Sequence, residues 1–118
     1  MAIQHYEGSC QCGAVTFDVD VDLDNTIVCN CSRCRRLGAV LGFAPRASFR
    51  LKSGEGELKD YLFNKHKIAH KFCGTCGIES FAFAAGPDGT PMVAVNANSL
   101  DGVDARALHS KAVDGKSF

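Results

Sequence analysis

The length, composition and charge of the chain favour one globular domain and exclude several classes of protein. The sequence has 118 residues, which suits a single domain with its own core, predicted here to span residues 1–118. Hydrophobic residues make up 46% and charged residues 22%, as in ordinary soluble proteins. Thirteen basic side chains balance thirteen acidic ones, so the overall charge does not indicate a nucleic-acid or membrane-surface protein.

The hydropathy of the chain predicts a cytoplasmic protein. The opening residues MAIQHYEGSC have no basic stretch followed by an apolar run, so no secretory signal is visible. No segment approaches the roughly 18 consecutive apolar residues of a membrane span, so we predict no membrane partner.

Alternation of apolar and polar residues from position 13 to 22 predicts the first strand. The apolar positions, expected to face the core, are Val15, Phe17, Val19 and Val21. The acidic positions, expected to face solvent, are Asp18, Asp20 and Asp22.

Six more strands and one helical turn are predicted along the rest of the chain. The strands fall near residues 40–44, 49–52, 58–64, 68–73, 79–84 and 92–98. The helical turn falls near residues 32–37, and the turn residues of GPDGTP and KSGEGEL separate neighbouring strands. Because no segment keeps a helical period over 11 residues or more, we predict an all-β fold.

Seven cysteines in three groups are the strongest chemical signal. Closely spaced cysteines in a reducing compartment indicate metal ligands, and an odd number excludes complete disulfide pairing within the chain. Glycines after the first and last groups fit the tight turns that aim neighbouring thiolates at one ion. Chance would not cluster seven buried apolar cysteines so tightly, so we predict zinc binding. The groups are the CxC of Cys10 and Cys12, the CxCxxC of Cys29, Cys31 and Cys34, and the CxxC of Cys73 and Cys76.

Spacing alone leaves two ways to divide these ligands into a set of four and a set of three. A structural zinc takes four protein ligands, whereas a catalytic zinc takes three and keeps one position open. Cys31 and Cys34 could join Cys73 and Cys76 in a zinc-ribbon-like site, although residues 35–72 make a long gap between these pairs. Alternatively, the CxCxxC places its three thiolates on one ion and the other two pairs form the closed site.

Five segments together resemble one protein family. They are GSCQCGAV, CNCSRCRR, FCGTCG, VAVNANSLDGVD and VDGKSF, in this order. In these segments the chain is similar to the glutathione-dependent formaldehyde-activating enzyme family, which includes the centromere protein V group. The resemblance implies a β-tent fold of small antiparallel sheets and two zinc ions per chain. It implies a structural zinc on Cys10, Cys12, Cys73 and Cys76, and a catalytic zinc on Cys29, Cys31 and Cys34.

An open three-cysteine zinc site predicts chemistry on a thiol. The free position can take water or substrate, and a thiol bound there is held as the nucleophilic thiolate. Such a thiolate can add to an aldehyde carbon, or the adduct can be cleaved. With the resemblance, this predicts a zinc-dependent carbon–sulfur lyase that forms or cleaves an S-hydroxymethyl-thiol-like adduct, with glutathione and formaldehyde as candidate substrates.

Three arginines beside the CxCxxC are candidate substrate-binding residues. Arg33, Arg35 and Arg36 could hold the carboxylates of a glutathione-like ligand, because guanidinium groups bind carboxylates through paired hydrogen bonds. Alternatively, they balance the negative charge of three thiolates on one Zn²⁺.

Other side chains carry weaker signals. A proton-transfer role beside the zinc is one interpretation of His66 and His70, and a packed or surface histidine is the favoured one. Asn96 and Asn98 are predicted to share a strand face, where they could bind a ligand or serve the structure. Four phenylalanines are predicted to lie mostly in the core, with one or two lining a pocket: Phe43, Phe72, Phe81 and Phe83.

Two other functions compete with the lyase. The first is a zinc-stabilised module that binds protein or nucleic acid without chemistry; the balanced charge argues against nucleic acid, and RCRR argues for a local basic patch. The second is a redox or metal-handling site that binds metal only transiently at the CxCxxC.

Overall fold

Strands dominate the computed structural model, which describes residues 3–63, 65 and 67–117. In this part of the chain the strands are β1 (Gln4–Ser9), β2 (Thr16–Val21), β3 (Ile27–Cys29), β4 (Leu41–Pro45), β5 (Phe49–Ser53), β6 (Leu58–Tyr61), β7 (Ala69–Cys73), β8 (Glu79–Ala85), β9 (Pro91–Asn96) and β10 (Lys111–Val113). The α-helix, α1, spans Ser32–Leu37. Short 3-10 helices span Leu23–Asn25, Arg46–Ser48, Glu55–Glu57, Ala97–Ser99, Ala105–Ala107 and Gly115–Ser117.

The strands form two sheets, and the predicted all-β, β-tent fold is confirmed. The smaller sheet has the order β1-β2-β5 and is antiparallel throughout. The larger has the order β10-β3-β4-β9-β8-β7-β6. Its pairings are antiparallel except for the parallel pair of β3 and β10. Strands β3 and β4 pair only through Ile27 and Leu41, so the β3–β10 pair is weakly attached at one edge of the larger sheet. We call the β3–β10 pair the flap.

Aromatic rings between the two sheets form the centre of the core. Phe17 of β2 lies 5.4 Å from both Phe49 of β5 and Phe81 of β8, and the last two rings are 4.6 Å apart. The apolar residues predicted on β2 are all buried, as the alternation requires: Val15, Phe17, Val19 and Val21.

Two of the predicted orientations are wrong. Asp18 does not face solvent: it is buried under Arg50 of the neighbouring β5, whose Nη2 lies 2.8 Å from Asp18 Oδ1. A cation on the adjacent strand therefore offsets the loss of hydration of a buried carboxylate on the polar face. Phe43 is 45% exposed, because its face of β4 near the flap is not covered, whereas Phe81 is buried as predicted.

The element bounds follow the sequence pattern closely, with small shifts at the ends. The helix spans the predicted residues 32–37, and its C-cap Gly38 has a left-handed φ of 66°. Strand β9 ends at Asn96, so Asn96 and Asn98 do not share a strand face. The predicted end of the 58–64 strand, Asn64, lies outside the described residues. No helix in the described ranges has the length and apolarity needed to cross a membrane.

Candidate metal centres

Four cysteines from two distant loops converge on one point. Cys10 and Cys12 follow β1, and Cys73 and Cys76 lie in the turn between β7 and β8. Sγ of Cys12 lies 3.6 Å from Sγ of Cys10 and 3.7 Å from Sγ of Cys73, and all four sulfurs lie within 4.8 Å of one another. A tetrahedral zinc with Zn–S bonds of 2.3 Å would place its sulfurs about 3.8 Å apart, so this donor set fits such an ion.

The local backbone explains how these thiols point inward. Gly13 and Gly77, one residue after each pair, have φ of 81°, a conformation that other residues rarely adopt. The N–H of Val15 donates to Sγ of Cys10 at 3.3 Å, and the N–H of Thr75 donates to Sγ of Cys73 at 3.4 Å. Because Cys10 and Cys73 are buried, the cluster is closed on its inner side.

The acidities of these thiols also suit a cation. The backbone N–H groups of Ile78 and Cys12 stabilise the thiolate of Cys76 and lower its pKa to about 6. For Cys12, the N–H of Ala14 lowers the pKa, but loss of hydration and the neighbouring thiols outweigh it and raise the pKa to about 11. One thiolate thus forms readily beside a thiol that needs a positive ion in order to lose its proton.

The other three cysteines form a second cluster within six residues of chain around the start of α1. Cys29 ends β3, Cys31 is the N-cap of the helix, and Cys34 lies in the first helical turn. Sγ of Cys29 accepts the N–H of Cys31 at 3.4 Å, and Sγ of Cys31 accepts the N–H of Cys34 at 3.3 Å. The three sulfurs lie within 4.8 Å of one another, and all three residues are half-buried.

The second cluster has three ligands within the part of the chain that the structure describes. Among the described residues, no further Cys, His, Asp or Glu contributes a ligand atom to it. Burial alone would raise the pKa of Cys31, but hydrogen bonds from the N–H and side chain of Cys34 lower it. Burial and then the Cys31 side chain raise the pKa of Cys34. The pKa values of these two neighbouring thiols are thus shifted in opposite directions.

The structure therefore brings the cysteines together as four and three. Spacing left two divisions open. In the structure Cys73 and Cys76 lie beside the CxC pair, and the CxCxxC forms a cluster of its own. Both clusters could hold a metal ion. That the ion is zinc, and that there are two per chain, stay predictions.

The three candidate arginines differ in what they already contact. Arg33 donates through Nε to Oε1 of Glu79 at 2.8 Å, and its Nη2 lies 2.6 Å from the same oxygen. Arg36 Nη1 donates to the carbonyl of Ser32 at 2.8 Å. Arg35 has no side-chain hydrogen bond or ion pair with the described residues, so its guanidinium is the most available of the three.

Of the two candidate histidines, His70 is a packed one. It is 6% exposed on β7, and its Nδ1 lies 3.1 Å from Oε2 of Glu79. The ring of Phe63 lies 5.2 Å away, tilted by 30°. Glu79 consequently joins His70 to Arg33, one residue before the ligand Cys34. The other histidine, His66, lies outside the described residues.

The two candidate asparagines serve the structure around α1. The Nδ2 of Asn96 donates to the carbonyl of Glu79 at 3.2 Å, and its Oδ1 accepts the N–H of Asn98 at 3.1 Å. Asn98 Nδ2 in turn donates to the carbonyl of Gly38, the C-cap of the helix, at 3.2 Å. Both asparagines thereby help to fix the helix that carries Cys34.

A cleft of about 340 Å³ opens beside the three-cysteine cluster. Cys29, Asn30, Arg35 and Asp114 line it, together with apolar side chains of β3 and β10. Hydrogen bonds from Ser117 and Asn30 lower the pKa of Asp114, so the lining includes a carboxylate as well as the guanidinium of Arg35. The cleft thus has a cysteine of the cluster and a guanidinium among its lining residues.

A larger cleft of about 670 Å³ lies elsewhere, between the edges of the two sheets. Phe83 lines it, as expected for one of the four phenylalanines, and Arg46 stacks 3.4 Å over that ring. No cysteine or histidine is among its lining residues. We therefore place the candidate site at the smaller cleft, where the thiols are.

Sequence reasoning missed the residues that hold the second cluster in place: Asn30, Glu79, Asp114 and Gly115. A charged residue at the head of the apolar run ESFAFA was a signal for a buried, partnered Glu79. The Asp114–Gly115 pair was a signal for a turn. Neither pattern says which distant residue the segment contacts.

Comparison with known proteins found a matching family and a similar solved structure. The sequence model of a family described as glutathione-dependent formaldehyde-activating enzyme matches residues 5–113. A crystal structure of a Rhodobacter sphaeroides protein is similar, with a TM-score of 0.80 and 32% sequence identity. The similarity covers 90% of this chain and 97% of that one.

Proposed function

This chain belongs to the glutathione-dependent formaldehyde-activating enzyme family, and from that premise we propose that it is a zinc-dependent carbon–sulfur lyase. It forms or cleaves a thiol–aldehyde adduct at Cys29, Cys31 and Cys34. The observation that carries the proposal is that these three half-buried sulfurs cluster within 4.8 Å without a fourth ligand among the described residues. The four-cysteine cluster holds the structural zinc, for a total of two ions per chain.

The chemistry needs a thiolate in the open position. Zinc held by three thiolates would supply a Lewis acid that favours the thiolate form of an incoming thiol. In the reaction, the substrate sulfur attacks the aldehyde carbon, the C=O π electrons move to oxygen, and oxygen takes up the proton that the thiol lost. Cleavage reverses the same steps. Cys29 connects the three-cysteine cluster to the cleft, because it is among the lining residues.

Arg35 is the residue that we propose for binding the substrate carboxylate. It lines the cleft with Cys29 and has no competing partner among the described side chains. Arg33 and Arg36 would first have to exchange their contacts with Glu79 and with the carbonyl of Ser32. A free guanidinium gains more from a carboxylate than one that is already paired.

Cobalt substitution tests the open position directly. Glutathione should intensify the sulfur-to-cobalt absorption of the loaded protein, whereas the analogue with serine in place of cysteine should bind far more weakly. Affinity should rise with pH below the pKa of the free thiol, because binding as thiolate releases a proton. A spectrum unchanged by every thiol would contradict the proposal.

Variants separate the role of Arg35 from a general charge effect. Arg35→Gln should weaken glutathione binding about tenfold, as expected for loss of a charge-assisted hydrogen bond. The control Arg106→Gln changes another exposed arginine and should have no effect. Mercaptoethanol, which has no carboxylate, should bind both variants like the wild type.

The reaction itself can be followed by exchange NMR in a mixture of glutathione and formaldehyde. The zinc-loaded protein should speed interconversion of the free thiol and its adduct, and Cys31→Ser should not. If neither thiol binding nor exchange is seen and the protein is retained on heparin or DNA at moderate salt, the non-catalytic binding module replaces the lyase.

A further inference from the structure

The C-terminal segment, residues 113–117, packs directly on the three-cysteine cluster. Strand β10 runs parallel to β3, and this pairing sets Val113 opposite Cys29. The cluster is formed by residues close in sequence, yet its first ligand lies against a segment more than eighty residues away. Residues 114–117 also lie beyond the part of the chain that the family model matches.

Asn30, between two of the ligands, is bound to this segment at three points. Its backbone N–H donates to the carbonyl of Val113 at 3.2 Å. Its Nδ2 donates to Oδ1 of Asp114 at 2.9 Å, and its Oδ1 accepts the N–H of Lys116 at 3.0 Å. Ser117 Oγ, 2.7 Å from the other oxygen of Asp114, fixes that carboxylate from the far side. The hydrogen bonds hold the peptide that links Cys29 to Cys31.

Gly115 lies against the ligand sulfur itself. A Cβ built at this position would be 2.3 Å from Sγ of Cys29 and 3.4 Å from Cβ of Cys31. Gly115 is not among the glycines with positive φ, so the backbone conformation would accept other residues. Glycine is therefore required here because a side chain would overlap the sulfur of Cys29.

We propose that the segment is a positioning part of the three-cysteine centre, with Asp114 and Gly115 as its positioning residues. Asp114 holds Asn30 and thereby the link between two ligands, and Gly115 supports the Cys29 sulfur at the distance where it meets the other two. Both act through Cys29 and not on substrate. The inference rests on the proposed function only in taking this cluster as a metal centre.

Gly115→Ala is the direct test, and Gly56→Ala is its matched control. Both glycines lie in short 3-10 helices with ordinary φ, but a Cβ at Gly56 would meet nothing within 4 Å. Gly115→Ala should weaken binding of the second cobalt ion about tenfold or more, as changes to residues that orient ligands do. It should also alter the sulfur-to-cobalt absorption of that ion. Binding of the first cobalt ion, and the thermal midpoint of the protein loaded with that ion alone, should match the wild type, and Gly56→Ala should match it throughout.

Asp114 supplies a second test that adds no steric clash. Asp114→Ala should also weaken the second cobalt ion, whereas Asp114→Asn, which keeps an acceptor for Asn30, should restore most of the affinity. A purely structural role would lower the thermal midpoint and both metal contents together, and that outcome overturns the proposal. So does a Gly115→Ala protein that binds two cobalt ions with wild-type affinity and spectrum.

The outcomes also separate this inference from the proposed function. If the wild type binds two cobalt ions but no thiol changes the spectrum, the lyase fails, and the Gly115 and Asp114 results still decide the positioning role. If thiols bind and the variants behave like the wild type, the positioning role fails and the lyase stands. A wild-type protein that takes only one cobalt ion overturns both.

Discussion

At the scale of single residues, the buried carboxylate of Glu79 connects the helix that carries Cys34 to the larger sheet. Its side chain is 7% exposed and lies between Arg33 on α1 and His70 on β7. Arg33 also stacks 4.5 Å over the ring of Tyr61. A carboxylate this deep needs charged or hydrogen-bonding partners. In the described structure Arg33 is therefore a support of the helix as well as a candidate for substrate binding.

Replacing Arg33 tests this support. Arg33→Gln should lower the free energy of unfolding by about 1–3 kcal/mol, because it removes a partner from a buried acceptor. Arg35→Gln, two residues away and free of such contacts, should change it by less than about 0.5 kcal/mol. Denaturant unfolding of the zinc-loaded proteins makes the comparison. Equal stability of the two variants would count against a supporting role of Arg33.

At this scale the sequence predicts the surroundings of a side chain when they depend on nearby residues, and not when they depend on a distant segment. The sequence favoured a packed or surface histidine at position 70 over a proton-transfer role, and the structure shows a packed one. That Glu79 is its partner depends on strand pairing and on where α1 docks, and no spacing rule states either. Asp18 shows the same limit: alternation assigns its face, but Arg50 on the next strand decides its burial.

At the scale of elements, strands with clear alternation were predictable and short ones were not. Strand β2 and the helix α1 lie where the sequence predicts them. Strands β3 and β10 have three residues each and were missed, because so short a segment shows no period. Each of these strands is stabilised by its parallel pairing with the other, which is distant in sequence. Strand β1 was also missed; it is a mostly exposed edge strand specified by its partner β2.

The two metal clusters differ in which elements they join, and this predicts different consequences of losing them. Cys12→Ser or Cys76→Ser breaks a link between the smaller and the larger sheet, and structural zinc contributes on the order of 10 kcal/mol to folding in small zinc peptides. These variants should be insoluble or chelator-sensitive. Cys31→Ser should stay folded, because serine is a good N-cap for α1. Thermal unfolding of the three purified variants checks this, and equal losses would contradict it.

At the scale of the whole molecule, the two clusters lie in different places, which suits the proposed division between a structural and a catalytic ion. The four-cysteine cluster lies where the loop after β1 meets the turn between β7 and β8, so it fastens the two sheets that enclose the phenylalanine core. The three-cysteine cluster lies at the small flap of β3 and β10, next to an open cleft. We expect a metal at the flap to exchange ligands with solvent without opening the core. The family resemblance implied the grouping of the cysteines into four and three that the structure has. Nothing in the sequence predicted that the C-terminal segment packs on the flap.

Chelator treatment should therefore remove the two metals in separate steps. Among the described residues the flap site has three ligands, so a competing ligand can enter its open position. The other ion would be held by four thiolates; Cys12 is exposed, but Cys10 and Cys73 are only 3% and 1% exposed. Metal release followed with a colorimetric indicator should show a fast phase with unchanged far-ultraviolet circular dichroism and a slow phase in which the strand signal is lost. Cys31→Ser should show the slow phase alone. Release of both ions in one phase together with the strand signal would mean that the flap centre also holds the fold.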